Sequence, residues 1–126
     1  MRSWSWAAAP FALSLLLAPA PVRAAPPDPD PWFGPDKALH FTVSGLVTGG
    51  GYGMTAIFSD RVATRIAFGA GLGLIVGAGK ELWDLSGHGD PSWKDFTWDV
   101  IGTAFGVGIA VTIDLATRGS ERAPAR

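Results

Sequence analysis

The sequence predicts an all-α protein, a small bundle of three glycine-rich apolar helices that are transmembrane and follow an N-terminal signal peptide. Of its 126 residues, 48% are hydrophobic and 17% are charged, which is typical of a membrane chain rather than of so short a soluble domain. Three apolar stretches approach the length of about 20 residues that crosses a bilayer. Each stretch carries small residues at every fourth position, a spacing that favours close helix packing.

The overall composition excludes several classes of site. The formal net charge of −1 provides no basic field, so no nucleic-acid partner is predicted. The absence of cysteine excludes disulfides, thiolate metal sites, a thiol nucleophile and a lipid-modified cysteine. No cofactor is predicted, and the spacing of histidines and carboxylates matches no zinc signature, so no metal site is assigned.

Residues 1–24 have the pattern of a secretory signal peptide. A positively charged start precedes a short apolar run at residues 7–18, and Val22 and Ala24 supply the small residues before a cleavage site. The alternative is an uncleaved first transmembrane helix, which two prolines in this region disfavour. Either interpretation predicts export to the cell envelope.

The rest of the chain divides into three parts. Residues 25–35 form a proline-rich linker, because proline at nearly every second position prevents both helix and sheet. Residues 36–118 are predicted to form the three-helix domain. Residues 119–126 are predicted to be a disordered basic tail.

Glycine spacing decides between two interpretations of the apolar stretches at residues 39–58, 62–79 and 100–117. In water, a glycine in a helix interior costs about 1 kcal/mol relative to alanine, so the glycines would weaken a tightly packed soluble helical core. In lipid, small residues let helices approach closely, which favours membrane insertion. The predicted packing glycines are Gly45, Gly49, Gly53, Gly69, Gly73, Gly77, Gly102 and Gly106.

The distribution of charge predicts an orientation. After cleavage of the signal peptide outside the cytoplasm, the first helix runs inward, the second outward and the third inward again. The turn at residues 59–61 and the tail are then cytoplasmic, where their arginines agree with the positive-inside rule. This predicts an inner-membrane protein in contact with membrane lipid, with its polar face toward the periplasm. A soluble periplasmic helical protein is the alternative.

Three charged motifs lie at the helix ends that this path brings together. DKALHF opens the first helix, GKELWD closes the second and SWKDFTWD opens the third. An outward-facing polar cluster is therefore predicted, with its charges paired because unpaired charges near hydrocarbon are costly. The candidate members are Asp36, Lys37, His40, Lys80, Glu81, Asp84, Asp95 and Asp99.

Some of these residues have a simpler interpretation. Asp36 suits a helix N-cap, and Ser92 with Asp95 fits the S-x-x-D capping pattern. His40 alone is more typical of a satisfied interfacial histidine than of a ligand or base. Asp99 lies inside the third helix, where an acid is expected to have a partner.

The three motifs resemble those of a known family. D-K-x-x-H-F, G-K-E-x-x-D and S-x-x-D-x-x-x-D-x-x-G-x-x-x-G, in this order over residues 36–106, are similar to the YfiM-like family of periplasmic lipoproteins and, more distantly, to the VanZ-like membrane proteins. Two features depart from these families: no cysteine is available for lipid attachment, and Asp99 stands where VanZ-like proteins usually carry asparagine. The resemblance implies a cell-envelope location and, for VanZ-like members, an association with glycopeptide resistance, but no established catalytic activity.

The sequence favours a small non-enzymatic envelope protein whose polar face binds an envelope protein or a cell-wall component. The alternative is an enzyme at the membrane face, such as a metal-assisted hydrolase. In that hypothesis His40 is the general base, Asp36 or Asp99 orients it, and Glu81 is an acid or metal ligand. Against an enzyme, no serine or threonine lies in a recognisable nucleophile elbow, and no catalytic residue is assigned.

Overall fold

The structure, a computed structural model, describes residues 28–121. The predicted signal peptide at residues 1–24 and the end of the predicted tail lie outside this part. Residues 28–121 form three α-helices, α1 (Pro35–Thr55), α2 (Val62–Trp83) and α3 (Trp93–Glu121), and a five-residue π-helical turn, Asp84–His88, follows α2. The described residues contain no strand, which confirms the predicted all-α class.

The helix ends differ from the predicted ones. α1 begins at Pro35, whose fixed φ suits the first helical position, and Gly34 occupies the N-cap. Asp36 therefore lies in the first turn, which corrects its interpretation as an N-cap. α2 continues past the predicted apolar stretch and α3 begins before it, so both Glu81 and Asp95 are held on helices.

The three helices run up, down and up, and each packs against the other two. Side chains near the start of α1 contact side chains near the start of α3, as in the pair His40 and Asp99. Side chains near the end of α1 contact the end of α3, as in the pair Tyr52 and Asp114. α1 and α3 are therefore parallel, and α2 returns between them.

The interior of the bundle is polar. Among the described residues, Tyr52 is the only hydrophobic side chain that is buried. In water, burial of apolar surface is the dominant favourable term in folding, and this interior supplies little of it. The buried polar and charged residues are Lys37, His40, Ser44, Thr48, Thr55, Arg65, Asp84, Ser92, Asp95, Asp99 and Thr103.

Large apolar side chains cover the outside of the bundle. Ile57 is 81% exposed, Leu46 is 71% exposed and Ile75 is 68% exposed. Monomeric soluble proteins rarely expose large contiguous apolar patches. A polar inside with an apolar outside is the arrangement expected where lipid is the solvent.

Two segments are long and apolar enough to cross a membrane, Val62–His88 and Trp93–Arg118, with mean hydropathies of 1.5 and 1.7. Only 22% and 17% of their apolar windows are buried, in contrast to the core helix of a soluble protein, which is mostly buried. α1 is not among these segments, and its inward side carries polar residues such as Ser44 and Thr48. Length and composition therefore support two of the three predicted transmembrane helices.

Six of the eight predicted packing glycines lie where helices touch. A Cβ atom on Gly102 would lie 2.2 Å from the carbonyl oxygen of Phe41, and one on Gly69 would lie 2.5 Å from that of Thr48. Both distances are far shorter than a van der Waals contact, and the carbonyl oxygens belong to helix backbone that cannot move aside. Only glycine, which has no Cβ atom, fits at these two positions. The other four are Gly45, Gly73, Gly77 and Gly106.

Gly49 and Gly53 do not pack against another of the three described helices, which corrects their assignment as packing glycines. Nothing within residues 28–121 lies within 4 Å of a Cβ atom built on either residue. A row of every fourth residue drifts by about 40° per step around an α-helix, because 3.6 residues make one turn. The buried side of α1 runs instead through Thr48 and Gly51, and a Cβ atom on Gly51 would lie 3.0 Å from the Cα atom of Gly69.

Candidate functional site

The predicted polar residues gather at one end of the bundle, where α1 and α3 begin and α2 ends. We call this group the mouth cluster. Its members differ in depth: the Asp99 side chain is 2% exposed, whereas those of Lys80 and Asp36 are 50% and 64% exposed. The mouth cluster comprises Asp36, Lys37, His40, Lys80, Glu81, Asp84, Asp95 and Asp99.

Asp99 is the centre of the deepest contacts. Its Oδ2 atom lies 3.0 Å from Nδ1 of His40, and its Oδ1 atom accepts a hydrogen bond of 2.5 Å from the hydroxyl of Ser44. Gly77 makes room for this carboxylate, since a Cβ atom there would lie 2.5 Å from Oδ2 of Asp99. The predicted partner of Asp99 is therefore present, and three helices contribute to its pocket.

Asp95 joins the buried ammonium group of Lys37 to the imidazole of His40. Nζ of Lys37 lies 2.5 Å from Oδ1 of Asp95, and Nε2 of His40 lies 3.8 Å from Oδ2. The same ammonium group also contacts the carboxylate of Asp30. His40 thus has a carboxylate next to each ring nitrogen, with Asp99 on one side and Asp95 on the other.

The remaining acids of the mouth cluster lie on and just after α2. Asp84 is buried and pairs with Lys80 one helical turn earlier. Glu81 accepts a hydrogen bond of 2.6 Å from the backbone N–H of Ser92 through Oε2. Its other oxygen, Oε1, is buried and has no hydrogen-bond partner within the described part of the chain.

The predicted capping pattern at the start of α3 is only half formed. The hydroxyl of Ser92 accepts a hydrogen bond of 3.2 Å from the backbone N–H of Asp95. In a full capping box the carboxylate of Asp95 would bond the N–H of Ser92. Here Glu81 takes that N–H, which leaves the Asp95 carboxylate to face Lys37 and His40.

The linker contributes acids that the sequence reasoning missed. Asp30 accepts a hydrogen bond of 2.8 Å from the hydroxyl of Ser92, and Asp28 pairs with Lys94 at 2.8 Å. Trp32 packs edge-on against Trp93 at a centroid distance of 4.8 Å. The alternating prolines of this segment predict only that it forms no helix, and they give no indication of what its aspartates contact. In the structure this segment lies across the bundle end and closes part of the mouth cluster.

Acid should release this linker segment. The hydrogen bond from Lys94 holds the pKa of Asp28 below its ordinary value of 3.8, and the hydrogen bond from Lys37 does the same for the pKa of Asp30. Because both values are lowered by docking, the stabilisation is present above about pH 4 and is lost as pH falls through the lowered values. We expect the anisotropy of a fluorophore on Phe33→Cys to drop in that acidic range.

The control is the double variant Asp28→Asn and Asp30→Asn, whose anisotropy should already be low at neutral pH and should change little in acid. An anisotropy that is constant from neutral pH to well below pH 4, or that is equal in both proteins at neutral pH, would contradict docking through these two carboxylates.

A second polar group lies at the opposite end of the bundle, and we call it the inner cluster. Asp114 accepts hydrogen bonds from the hydroxyl of Tyr52 at 2.7 Å and from Arg65 and Arg118 at 2.9 Å each. Arg65 is only 5% exposed, because its side chain turns inward to Asp114. The sequence feature that indicates this group is Asp114, because an acid within the third apolar stretch is expected to have a partner. The sequence analysis did not include this residue. The inner cluster comprises Tyr52, Asp60, Arg65, Asp114 and Arg118.

The geometry does not form a Ser–His–Asp relay among the described residues. In such a relay the hydroxyl bonds the imidazole, which becomes its base. Here the hydroxyl of Ser44 donates to Asp99, and His40 bonds the other oxygen of the same carboxylate. The arrangement can orient His40 and hold a charge, but it activates no serine nucleophile.

A crevice between α1 and α2 leads to the deepest part of the mouth cluster. It has a volume of about 230 Å³. Its accessible lining is almost entirely apolar, so it suits an apolar chain, and the half-exposed Lys80 borders it. The lining residues are Leu39, His40, Val43, Val76, Gly77, Lys80 and Asp99.

Comparisons with family models, with curated proteins and with solved structures found nothing that matches this chain. The resemblance of its motifs to YfiM-like and VanZ-like proteins therefore stays a prediction, and the site is interpreted from its own geometry.

Proposed function

We propose that this chain is an integral membrane protein of the cell envelope that binds an amphipathic envelope component at its mouth cluster. The observation that carries the proposal is the inverted polarity of the bundle. Buried positions hold charged residues, hydroxyls and glycines, whereas residues such as Leu46 and Ile75 are exposed. In water this arrangement would leave the apolar surface uncovered, and in a bilayer lipid covers it.

Charge supports an orientation with the mouth cluster outside the cytoplasm. The inner cluster and its turn contain the arginines Arg61, Arg65 and Arg118, and cytoplasmic ends of membrane helices are enriched in such residues. The mouth cluster contains two lysines and no arginine, which fits the periplasmic side. The motif resemblance to envelope proteins agrees with this placement.

The crevice supports the choice of ligand. Leu39, Val43 and Val76 form its apolar walls, and these walls lie on the outside of the bundle, where an acyl or polyprenyl chain could reach them within the bilayer. Lys80, whose side chain is half exposed, borders the crevice and would contact a polar head. A lipid or a lipid-linked envelope component has this combination of an apolar chain and a polar head.

Membrane insertion and topology can be tested directly. We expect the protein to stay in the membrane pellet after alkaline carbonate extraction, and reporter fusions after Phe58 and at the carboxyl terminus to give cytoplasmic signals. Release into the soluble fraction would contradict insertion. A periplasmic signal at either fusion would contradict the proposed orientation.

Ligand binding can be tested by filling the crevice. We expect Val76→Trp to reduce the phospholipid that remains bound after reconstitution in vesicles of phosphatidylethanolamine and phosphatidylglycerol, as counted by native mass spectrometry. Ile75→Trp is the matched control, because Ile75 is the neighbouring exposed residue and does not line the crevice. Equal retention of phospholipid by both variants would contradict binding in the crevice.

An enzyme at the membrane face is the second candidate function. The contact between Nδ1 of His40 and Asp99 supports it, since a carboxylate that orients an imidazole is a common element of general-base sites. Binding is preferred because a carboxylate lies beside each ring nitrogen of His40, with Asp99 at 3.0 Å and Asp95 at 3.8 Å. Turnover of a bound lipid that stops in the His40→Ala variant would favour the enzyme.

A further inference from the structure

We propose that His40, Glu81 and Asp99 form a binding site for a divalent first-row metal ion such as Zn²⁺. One ligand comes from each helix: His40 from α1, Glu81 from α2 and Asp99 from α3. One imidazole or carboxylate atom of each residue lies within 4.8 Å of the corresponding atoms of the other two. The ligands are far apart along the chain, so no spacing pattern in the sequence reveals the set.

The two lysines of the mouth cluster pair with acids other than Glu81 and Asp99. The cluster holds five carboxylates against two lysines. Lys37 pairs with Asp95 and Lys80 pairs with Asp84. Within the described residues, neither Glu81 nor Asp99 forms an ion pair with a lysine or arginine. Asp99 is buried and Glu81 is partly buried, and buried carboxylates are normally paired or coordinate a metal, so a bound cation would balance their charge.

The distances between the candidate ligand atoms suit one ion. Zn²⁺ is bound at about 2.0–2.2 Å by histidine nitrogen and carboxylate oxygen, so two ligands of the same ion lie roughly 3–3.5 Å apart. Nδ1 of His40 and Oδ2 of Asp99 are 3.0 Å apart. Oε1 of Glu81 is the buried oxygen with no hydrogen-bond partner in the described part of the chain, and a small movement of this flexible side chain completes the set.

The surrounding contacts already hold each ligand in place. Ser44 donates to Oδ1 of Asp99, which leaves Oδ2 for the ion, and the N–H of Ser92 donates to Oε2 of Glu81, which leaves Oε1. Nε2 of His40 faces the carboxylate of Asp95 at 3.8 Å. Hydrogen-bonded carboxylates and a carboxylate behind a ligating histidine are typical of second-shell support in metal sites.

The ligand types select the class of metal. Imidazole nitrogen favours Zn²⁺ and its first-row neighbours, whereas Ca²⁺ and Mg²⁺ prefer oxygen ligands alone. Three protein ligands leave a coordination position open, and the crevice beside His40 and Asp99 gives access to it. The site is inferred independently of lipid binding.

The test uses the full chain in detergent without added lipid and without a polyhistidine tag. We expect one equivalent of Zn²⁺ to remain bound, as measured by elemental mass spectrometry and titration calorimetry. His40→Ala, Glu81→Gln and Asp99→Asn should each weaken binding by about ten-fold or more. His88→Ala and Asp90→Asn are the matched controls and should bind as the parent protein does, because both residues are exposed and lie outside the mouth cluster.

Substitution with Co²⁺ provides a second readout, since direct ligation gives visible absorption bands that the ligand variants should lose. Glu81→Gln keeps the test decisive if the Asp99 variant fails to fold, because Glu81 is only partly buried. Failure of the parent protein to retain Zn²⁺ would overturn the proposal. Equal affinities for the parent, the ligand variants and the controls would overturn it as well.

Discussion

Gly102→Ala is expected to destabilise the bundle by about 1–3 kcal/mol or more, as typical overpacking of a close contact does. The added Cβ atom would lie 2.2 Å from the carbonyl oxygen of Phe41 and 2.9 Å from its Cα atom. The obstacle is backbone on α1 and cannot rotate away, so the two helices must separate. Thermal unfolding in detergent, followed by circular dichroism, measures the loss.

Gly49→Ala is the matched control for that experiment. Gly49 lies in a helix interior, and no atom of the described part of the chain lies within 4 Å of a Cβ atom built on it. Alanine stabilises a helix by about 1 kcal/mol relative to glycine, so the control should be unchanged or slightly more stable. Equal destabilisation by Gly102→Ala and Gly49→Ala would contradict the packing described for α1 and α3.

Asp99→Ala is expected to cost about 3 kcal/mol, because it removes two hydrogen bonds to one buried carboxylate. One of these comes from Ser44 and the other joins His40. The substitution also leaves the hydroxyl and the imidazole without their buried acceptor. Asp99→Asn should lose less, since an amide keeps the shape of the carboxylate and can still accept one of the bonds.

A double-mutant cycle shows whether these residues act as a unit. His40→Ala and Asp99→Ala should couple by about 1 kcal/mol or more in metal-free detergent solution, because the two side chains are in contact. His40→Ala and Asp84→Ala should add within roughly 0.5 kcal/mol, because Asp84 pairs with Lys80 instead. Strict additivity in both cycles would contradict a shared site and leave separate residues at the helix ends.

The sequence could predict the bundle and the position of the mouth cluster because both follow from chain-level features. When three apolar helices run up, down and up, the start of the first, the end of the second and the start of the third lie together. This holds for any rotation of each helix about its own axis. His40 and Asp99 are separated by 59 residues, yet this path alone places them at the same end.

Other features depend on rotation about the helix axes, which spacing alone does not fix. Gly49 and Gly53 share the every-fourth spacing of Gly45, yet they face away from the neighbouring helices because the row drifts around α1. The inner cluster was missed for a related reason. Arg65 could extend outward or turn inward, and the presence of Asp114 on the facing side of α3 decides the outcome.

The linker shows a third limit of prediction from sequence. Proline correctly excludes helix at residues 28–34, but a lack of regular structure does not mean a lack of contacts. Asp30 bonds Lys37 and Ser92, which belong to two different helices. Such long-range contacts of an extended segment leave no periodic pattern in the sequence.

The central claim, that the apolar outside of the bundle faces lipid, is tested most directly by the accessibility of a single spin label. The chain has no cysteine, so a nitroxide can be attached to Ile75→Cys in the middle of α2, with Ser86→Cys in the exposed turn as the reference. In reconstituted vesicles, we expect the label at position 75 to collide with oxygen and to be shielded from a water-soluble nickel chelate, while the label at position 86 is accessible to the chelate. Equal accessibility of both labels to the chelate would contradict the claim.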